Sequence, residues 1–161
     1  MTSPADRYAR WRTAQQDEQP AAELAAFRDR YPFELDDFQL AGGRALERGS
    51  SVLVAAPTGA GKTVVGEFAV HLALARGHKV FYTAPIKALS NQKFGELVDW
   101  LGSDRVGLLT GDTSIRPDAD VVVMTTEVLR NMLYADSDLL EGLGFVVMDE
   151  VHYLADRLRD R

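Results

Sequence analysis

The chain has 161 residues, 46% of them hydrophobic and 26% charged, a composition typical of a globular protein with one sizeable core. It has no cysteine and only three histidines, so a disulfide framework is excluded, a zinc site has too few ligands, and any metal must be held by oxygen. No apolar run approaches the roughly 18 residues of a membrane span. The polar N-terminus lacks a signal-peptide core, so we expect a cytoplasmic protein with no membrane partner. The net charge of −6 has the wrong sign for bulk attraction to nucleic acid, although a local cluster of amides and hydroxyls can still hold phosphates.

The chain begins with a polar segment, residues 1–32, which we predict to be a helical extension divided by Pro20 and to which we assign no chemistry. A short helix follows. Asp36 is its predicted N-cap, Gln39 the partner in a capping box, and Gly49 its stop.

From Ser51 onward, buried strands alternate with amphipathic helices, the pattern of an α/β fold in which helices flank a parallel sheet. A helix ending at Gly77 and another ending at Gly102 separate the first three strands. The five predicted strands are 52–55, 79–83, 106–109, 121–124 and 145–148.

A glycine-rich loop after the first predicted strand opens directly into a helix. A triphosphate requires unhindered backbone amides, which Gly59 and Gly61 allow, and a cation between its β- and γ-phosphates, which Lys62 supplies. Thr63 adds a hydroxyl for Mg²⁺. The alternative interpretation of this loop is a turn that merely caps a helix. We favour a phosphate loop, and we predict an ATP site formed by Pro57, Thr58, Gly59, Ala60, Gly61, Lys62 and Thr63. The strict motif begins with glycine, whereas this loop begins with Ala56.

The last predicted strand ends at Asp149 and Glu150, and ligands bind at the carboxyl ends of strands in an open parallel sheet. Asp149 is predicted to hold Mg²⁺, and Glu150 to orient and deprotonate the water that attacks the γ-phosphate. The alternative is a solvated acidic turn. His152 follows in the same run, where we expect it to link the ATP site to the nucleic-acid side.

Six motifs in order resemble the DExH-box helicases of the superkiller and exosome-cofactor branch of superfamily 2. The resemblance covers Phe33 to the last residue and includes the Ala56 that departs from the strict motif. It identifies the domain, 33–161, as part of the first RecA-like domain of such a helicase. The motifs are 32–39, 56–63, 84–93, 110–112, 124–130 and 149–154.

The resemblance implies that Gln39 reads the adenine edge and that Phe33 stacks on the ring. The capping box also explains Gln39, and both roles are compatible. For Phe33, a buried core aromatic is the alternative.

The resemblance also implies a path for single-stranded nucleic acid, which helix N-termini, a lysine and small hydroxyls can bind through phosphates. Lys87 could instead be a solvated surface lysine, and Thr125 could simply cap the next helix. The residues placed along the path are Pro85, Lys87, Thr110, Gly111, Thr125 and Thr126.

The resemblance implies an ATP-dependent motor that translocates 3′ to 5′ and unwinds duplexes, with RNA favoured slightly over DNA. The alternatives are a DNA-repair helicase of the related branch and a truncated, non-catalytic module that binds ATP or nucleic acid. Such motors hydrolyse ATP against a second RecA-like domain, which this sequence lacks. We therefore expect these 161 residues alone to bind ATP weakly, not to unwind duplexes, and to be marginally stable, because an open sheet exposes apolar surface.

Overall fold

The protein is represented by a computed structural model that describes residues 22–153. Most of the predicted N-terminal extension and the end of the last motif, at Leu154, lie outside this range. The chain divides into two compact units, one up to Phe68 and the other from Ala69, and each is described separately.

In the first unit, two helices pack closely together. Helix α1 comprises Ala22–Arg28 and helix α2 comprises Asp37–Glu47. A Cβ placed on Gly43 would lie only 2.7 Å from the end of the Leu24 side chain, so a side chain at this point would have to displace this buried leucine. The Glu47 carboxylate also accepts hydrogen bonds from the backbone N–H groups of Glu23 and Leu24, at 3.2 and 3.3 Å. N–H groups in the first turn of a helix have no acceptor within the helix, and for these two in α1 Glu47 supplies one.

The predicted ends of α2 are confirmed. The capping box is present, and the Gln39 side chain accepts from the backbone N–H of Asp36 at 2.8 Å. Gly49 lies just beyond the helix with φ of +85°, a left-handed conformation that glycine adopts without strain.

The prediction of a first strand at 52–55 is wrong, because the structure contains no strand there. The segment precedes helix α3, Thr63–Ala75. Exposed and partly buried residues alternate along it, and Leu53 is 82% exposed. The alternation of burial matches the sequence pattern. A strand, however, also needs ladder hydrogen bonds to a neighbour, which hydrophobic patterning does not supply.

The second unit is built on a five-stranded sheet with the order β3-β2-β4-β1-β5. The four longer strands pair in parallel and confirm the remaining predicted strands, whereas the two-residue β3 pairs antiparallel to β2. Two residues are too few to show a period in the sequence, so β3 was not predicted. The strands are β1 Lys79–Ala84, β2 Val106–Leu109, β3 Ser114–Ile115, β4 Val121–Thr125 and β5 Leu143–Met148.

Apolar side chains cover both faces of this sheet. One cluster joins Val80, Tyr82 and Val123 to Leu97 of helix α4, Lys87–Leu101. The other joins residues of β1 and β4 to Leu129 of helix α5, Thr126–Tyr134. Central strands buried on both faces read as continuous apolar runs, which is why the sequence predicts them well. Within residues 22–153, no helix has the length and apolar character needed to cross a membrane.

Candidate functional site

The predicted phosphate loop is a tight turn at the N-terminus of α3. Gly59 and Gly61 both have φ of +81°, and the N–H of Ala60 donates to Pro57 O at 3.1 Å. The Lys62 ammonium folds back over the loop, and its Nζ donates to Ala56 O at 2.7 Å. Because the loop opens at the start of a 13-residue helix, its amides and the helix dipole favour an anion here.

Gln39 connects α2 to this loop. Its side chain is 5% exposed, and its Nε2 donates to Gly61 O at 2.9 Å while its Oε1 accepts from Asp36. A primary amide has two N–H donors and two acceptor lone pairs. These two bonds therefore leave one donor and one lone pair, which are sufficient to contact an adenine edge.

Phe33 is not the buried core aromatic that was its alternative, because the residue is 55% exposed. Its ring lies 5.2 Å from that of Tyr31, which makes an edge contact with the buried Phe27. The Tyr31 hydroxyl donates to Glu67 Oε2 at 2.5 Å. Burial, followed by this hydrogen bond, raises the pKa of Tyr31 well above its usual range, so the phenol stays protonated and remains a donor. An exposed ring on an anchored aromatic support is suited to stacking on a base.

In the second unit, the acidic motif begins where β5 ends. The N–H of Asp149 donates to Thr83 O at 2.9 Å, which extends the pairing with β1 by one residue. The Asp149 carboxylate accepts from two donors. Oδ2 takes the Tyr82 hydroxyl at 3.1 Å, and Oδ1 takes the backbone N–H of Glu150 at 2.9 Å.

Glu150 has φ of +52°, a left-handed conformation that is uncommon for residues other than glycine. Such backbone strain occurs often at functional sites. Its carboxylate Oε2 lies 3.2 Å from Nε2 of His152, and both side chains are substantially exposed. His152 therefore pairs with the predicted catalytic glutamate inside the motif. Its predicted link to the nucleic-acid side stays a prediction.

The residues of the predicted nucleic-acid path lie at the carboxyl ends of parallel strands. Pro85 and Lys87 follow β1, Thr110 and Gly111 follow β2, and Thr125 and Thr126 lie at the junction of β4 and α5. Because parallel strands end at the same edge, the topology brings all six to one side of the sheet. The expected cap is also present: Thr125 Oγ1 accepts from the N–H of Val128 at 3.4 Å, and the Thr126 hydroxyl donates to Ala84 O at 3.3 Å.

Lys87 is ion-paired, which the sequence did not predict. Its Nζ donates to Asp112 Oδ2 at 2.6 Å, although 49% of the lysine side chain is exposed. Asp112 Oδ1 also accepts from the hydroxyls of Thr110 and Thr113, at 3.0 and 3.3 Å. The bond from Lys87 and then that from Thr110 hold the pKa of Asp112 below its usual range. A carboxylate thus lies among the residues that are predicted to contact phosphates.

Oxygen donors suited to Mg²⁺ are present, although no group of three or more His, Cys, Asp or Glu side chains within residues 22–153 could hold a metal alone. Mg²⁺ prefers oxygen and usually takes most of its ligands from water and substrate phosphates, with only one or two from protein. Each oxygen of Asp149 accepts one hydrogen bond and keeps a lone pair. Thr63 is exposed at the start of α3. Each of these residues by itself therefore offers an oxygen ligand that is chemically suited to such an ion.

Comparison with known proteins identifies the family. The DEAD/DEAH box helicase family model matches residues 37–161, more than three quarters of the chain. The chain belongs to this helicase family. The match begins at the first residue of α2 and includes both the loop at 56–63 and the acidic motif.

Named helicases are among the similar proteins. The chain is 69% identical over 138 residues to "Probable helicase HelY" of Mycobacterium leprae, which covers 86% of this chain and 15% of the relative. It is 52% identical over 129 residues to "Antiviral helicase SKI2" of Saccharomyces cerevisiae, with 80% and 10% covered. The chain thus spans about one sixth or less of the length of these relatives.

Solved helicase structures share the fold. The helicase MrfA bound to DNA and AMPPNP matches with a TM-score of 0.66 and 28% identity, over 85% of this chain and 21% of that chain. A hypothetical ATP-dependent RNA helicase from Sulfolobus tokodaii matches with a TM-score of 0.61 over 86% of this chain and 44% of that chain. At 19% identity, the second match supports the fold alone. The predicted RecA-like α/β fold is confirmed.

Proposed function

We propose that the full-length protein is a helicase that hydrolyses ATP to translocate on single-stranded nucleic acid, and that this chain supplies part of its ATP-binding domain. The observation that carries the proposal is the loop 56–63, in a chain of the helicase family. Two glycines in a left-handed conformation shape this loop at the N-terminus of α3, and the Lys62 ammonium lies over it. This arrangement suits a triphosphate. The similarity to HelY and to SKI2 supports the helicase assignment.

The proposed residues act on ATP in separate ways. The amides of 57–63 bind the phosphates, and Lys62 exchanges Ala56 O for phosphate oxygens, which offer it a charge-assisted contact. Phe33 stacks on the adenine, and the remaining amide donor and lone pair of Gln39 read its edge. We assign Glu150 to orienting and deprotonating the attacking water.

Thr63 and Asp149 are the proposed Mg²⁺ ligands. When bound, the ion neutralises charge on the phosphates as it develops during transfer. Thr63 contributes a neutral hydroxyl at the helix start, and Asp149 contributes a carboxylate that two hydrogen bonds already orient. The catalytic constellation also requires a second RecA-like domain, which we place elsewhere in the full-length protein.

We propose that nucleic acid binds along the strand ends that carry Pro85, Lys87, Thr110, Gly111, Thr125 and Thr126. Contacts of this kind reach phosphates and carry no sequence information. RNA is the favoured substrate, since relatives 53% identical to this chain include "ATP-dependent RNA helicase mtr4" of Schizosaccharomyces pombe. DNA is the second candidate, because the MrfA structure is bound to DNA.

ATP hydrolysis by the full-length protein tests the proposal. It is measured without nucleic acid, with single-stranded RNA and with single-stranded DNA, and Lys62→Ala is the matched variant. We expect RNA to stimulate hydrolysis and Lys62→Ala to abolish it. Stimulation by DNA alone would assign the protein to DNA repair. Absence of any stimulated, Lys62-dependent hydrolysis would leave only a nucleotide-binding module.

A further inference from the structure

We propose that Tyr82 is a positioning residue for the ATP site, because its hydroxyl orients the carboxylate of Asp149 toward Mg²⁺-ATP. This inference rests on the proposed function. Tyr82 lies in the middle of β1, is 1% exposed, and donates to Asp149 Oδ2 at 3.1 Å.

Strand register brings the two side chains together. Tyr82 pairs with Val147 in the parallel β1–β5 ladder, so these two side chains lie on the same face of the sheet. Asp149 is two residues beyond Val147 and returns to that face. The hydrogen bond from Asp149 N to Thr83 O keeps the chain beside β1 at this point. The hydroxyl of Tyr82 therefore reaches the Asp149 carboxylate while its ring stays in the core.

The hydroxyl controls one of the two oxygens of Asp149. The backbone N–H of Glu150 already fixes Oδ1, at 2.9 Å, and Tyr82 fixes Oδ2. A bond from a neutral donor to a carboxylate is stronger than one between neutral groups. Partners of this kind, which orient a metal ligand without touching the metal, commonly have large effects on metal affinity. Without the hydroxyl, the carboxylate loses one of two restraints on its rotation.

Helix α4 holds the ring of Tyr82 in turn. The Lys93 ammonium lies 5.4 Å from the ring centroid, within the range of a cation–π contact. Lys93 is 8% exposed and is ion-paired with Glu96 one turn along the same helix. The ring therefore has a fixed environment that does not depend on its hydroxyl. Removal of the oxygen alone should leave the core packing intact.

The test is Tyr82→Phe in the full-length protein, with binding of a fluorescent ATP analogue followed as free Mg²⁺ is raised. We expect the Mg²⁺ concentration at half-saturation to rise about tenfold, the lower end of the range for such partners. Affinity for the analogue in EDTA should not change, because Asp149 is assigned to the metal. Tyr134→Phe is the matched control: it loses the same hydroxyl from a residue that is 85% exposed.

A double-mutant cycle decides whether Tyr82 acts through Asp149. In an Asp149→Asn background, Tyr82→Phe should produce no further shift in the Mg²⁺ requirement. An additive shift would overturn the inference, as would a lower melting temperature with an unchanged Mg²⁺ requirement. If the wild-type protein itself binds the analogue without any Mg²⁺ dependence, the proposed metal site fails together with the inference. Mg²⁺-dependent wild-type binding that Tyr82→Phe leaves unaltered overturns the inference alone.

Discussion

Gln39 and Gly61 are joined by a hydrogen bond of 2.9 Å from the side-chain amide of the first to the carbonyl of the second. The same amide accepts from the N–H of Asp36, so one buried side chain fixes both the start of α2 and the phosphate loop. The two roles that the sequence left open for Gln39 are compatible because an amide has more donors and acceptors than these bonds use.

Gly61→Ala should destabilise the loop more than an ordinary substitution at a left-handed glycine. A Cβ at this position would lie 2.6 Å from Gln39 Nε2, and φ is already +81°. The backbone strain costs about 1–2 kcal/mol, and displacement of a hydrogen-bonded buried amide adds about 1 kcal/mol. Urea denaturation measures the loss in free energy of unfolding.

Gly49→Ala is the control, because its φ is +85° and no atom lies within 4 Å of the added Cβ. It carries the strain without the clash and lies outside the predicted ATP site. Equal losses for the two variants would show that Gln39 moves aside freely. In that case the amide does not hold the loop.

Phe33→Ala should weaken ATP binding with little effect on stability. The residue is 55% exposed, so little apolar burial is lost, whereas a base stacked on an aromatic ring gains about 1–3 kcal/mol. We expect a tenfold or larger rise in the Kd for ATP and recovery in Phe33→Trp. Isothermal titration gives the Kd, and thermal unfolding checks the fold.

Phe27→Ala removes a matched ring that is fully buried, so it should lower the free energy of unfolding by about 3–5 kcal/mol. A Phe33→Ala protein that binds ATP normally would rule out the stacking role. A large loss of stability in Phe33→Ala would instead mean that the ring packs in the folded chain.

The sequence predicts those parts of this protein that depend on local rules. The four longer strands are largely apolar runs, and the caps at Asp36 and Thr125 follow from residue type and spacing. Segment 52–55 has the same pattern without becoming a strand, because pairing depends on a neighbour that patterning does not specify.

The contacts of Tyr82 and Asp112 could not be predicted in the same way. Tyr82 and Asp149 are 67 positions apart and meet only through the β1–β5 register. Lys87 and Asp112 meet because the ends of β1 and β2 lie at one edge of the sheet. A polar residue in the apolar run of β1 was the available signal for Tyr82, since a buried hydroxyl needs a partner.

Thr125→Ala should cost about 1 kcal/mol of stability, because it removes the side chain that accepts from Val128 N. Thr125→Ser keeps the oxygen and should restore most of the loss. Chemical denaturation of the two variants gives the difference. If both variants bind single-stranded RNA like the wild type, capping accounts for Thr125 and its proposed phosphate contact is wrong.

The pKa of Asp112 should depend on Lys87. The hydrogen bond from Lys87 is the largest cause that lowers this pKa, so Lys87→Met should raise it toward its ordinary value. A carboxylate whose pKa is lowered by folding stabilises the protein above its unfolded pKa, about 3.9. That contribution disappears as the pH falls through the lower, folded value. Carboxyl carbon NMR shifts measure the pKa, and an unchanged Asp112 in Lys87→Met would contradict the pairing.

Asp112→Asn should strengthen nucleic-acid binding. In the wild type, a phosphate that binds Lys87 must compete with a carboxylate 2.6 Å from its ammonium. An exposed pair is weak, so we expect the Kd for single-stranded RNA to fall only about two- to threefold. Lys87→Ala should weaken binding to all sequences alike and reduce the salt slope by about one.

The matched control is Asp120→Asn, which removes the same charge from an exposed aspartate paired with Arg105. Asp120 precedes β4 and therefore lies at the edge of the sheet opposite the strand ends that carry the proposed path. Equal tightening by both variants would mean that net charge alone acts, through the general repulsion between an acidic protein and phosphate. If Asp112→Asn tightens RNA binding, Asp120→Asn does not, and the effect of Asp112→Asn is lost in a Lys87→Ala background, the cause is competition for this one ammonium. Binding measured at two salt concentrations gives a second criterion, because added salt screens long-range repulsion by net charge more than it screens competition at an ammonium 2.6 Å from the carboxylate.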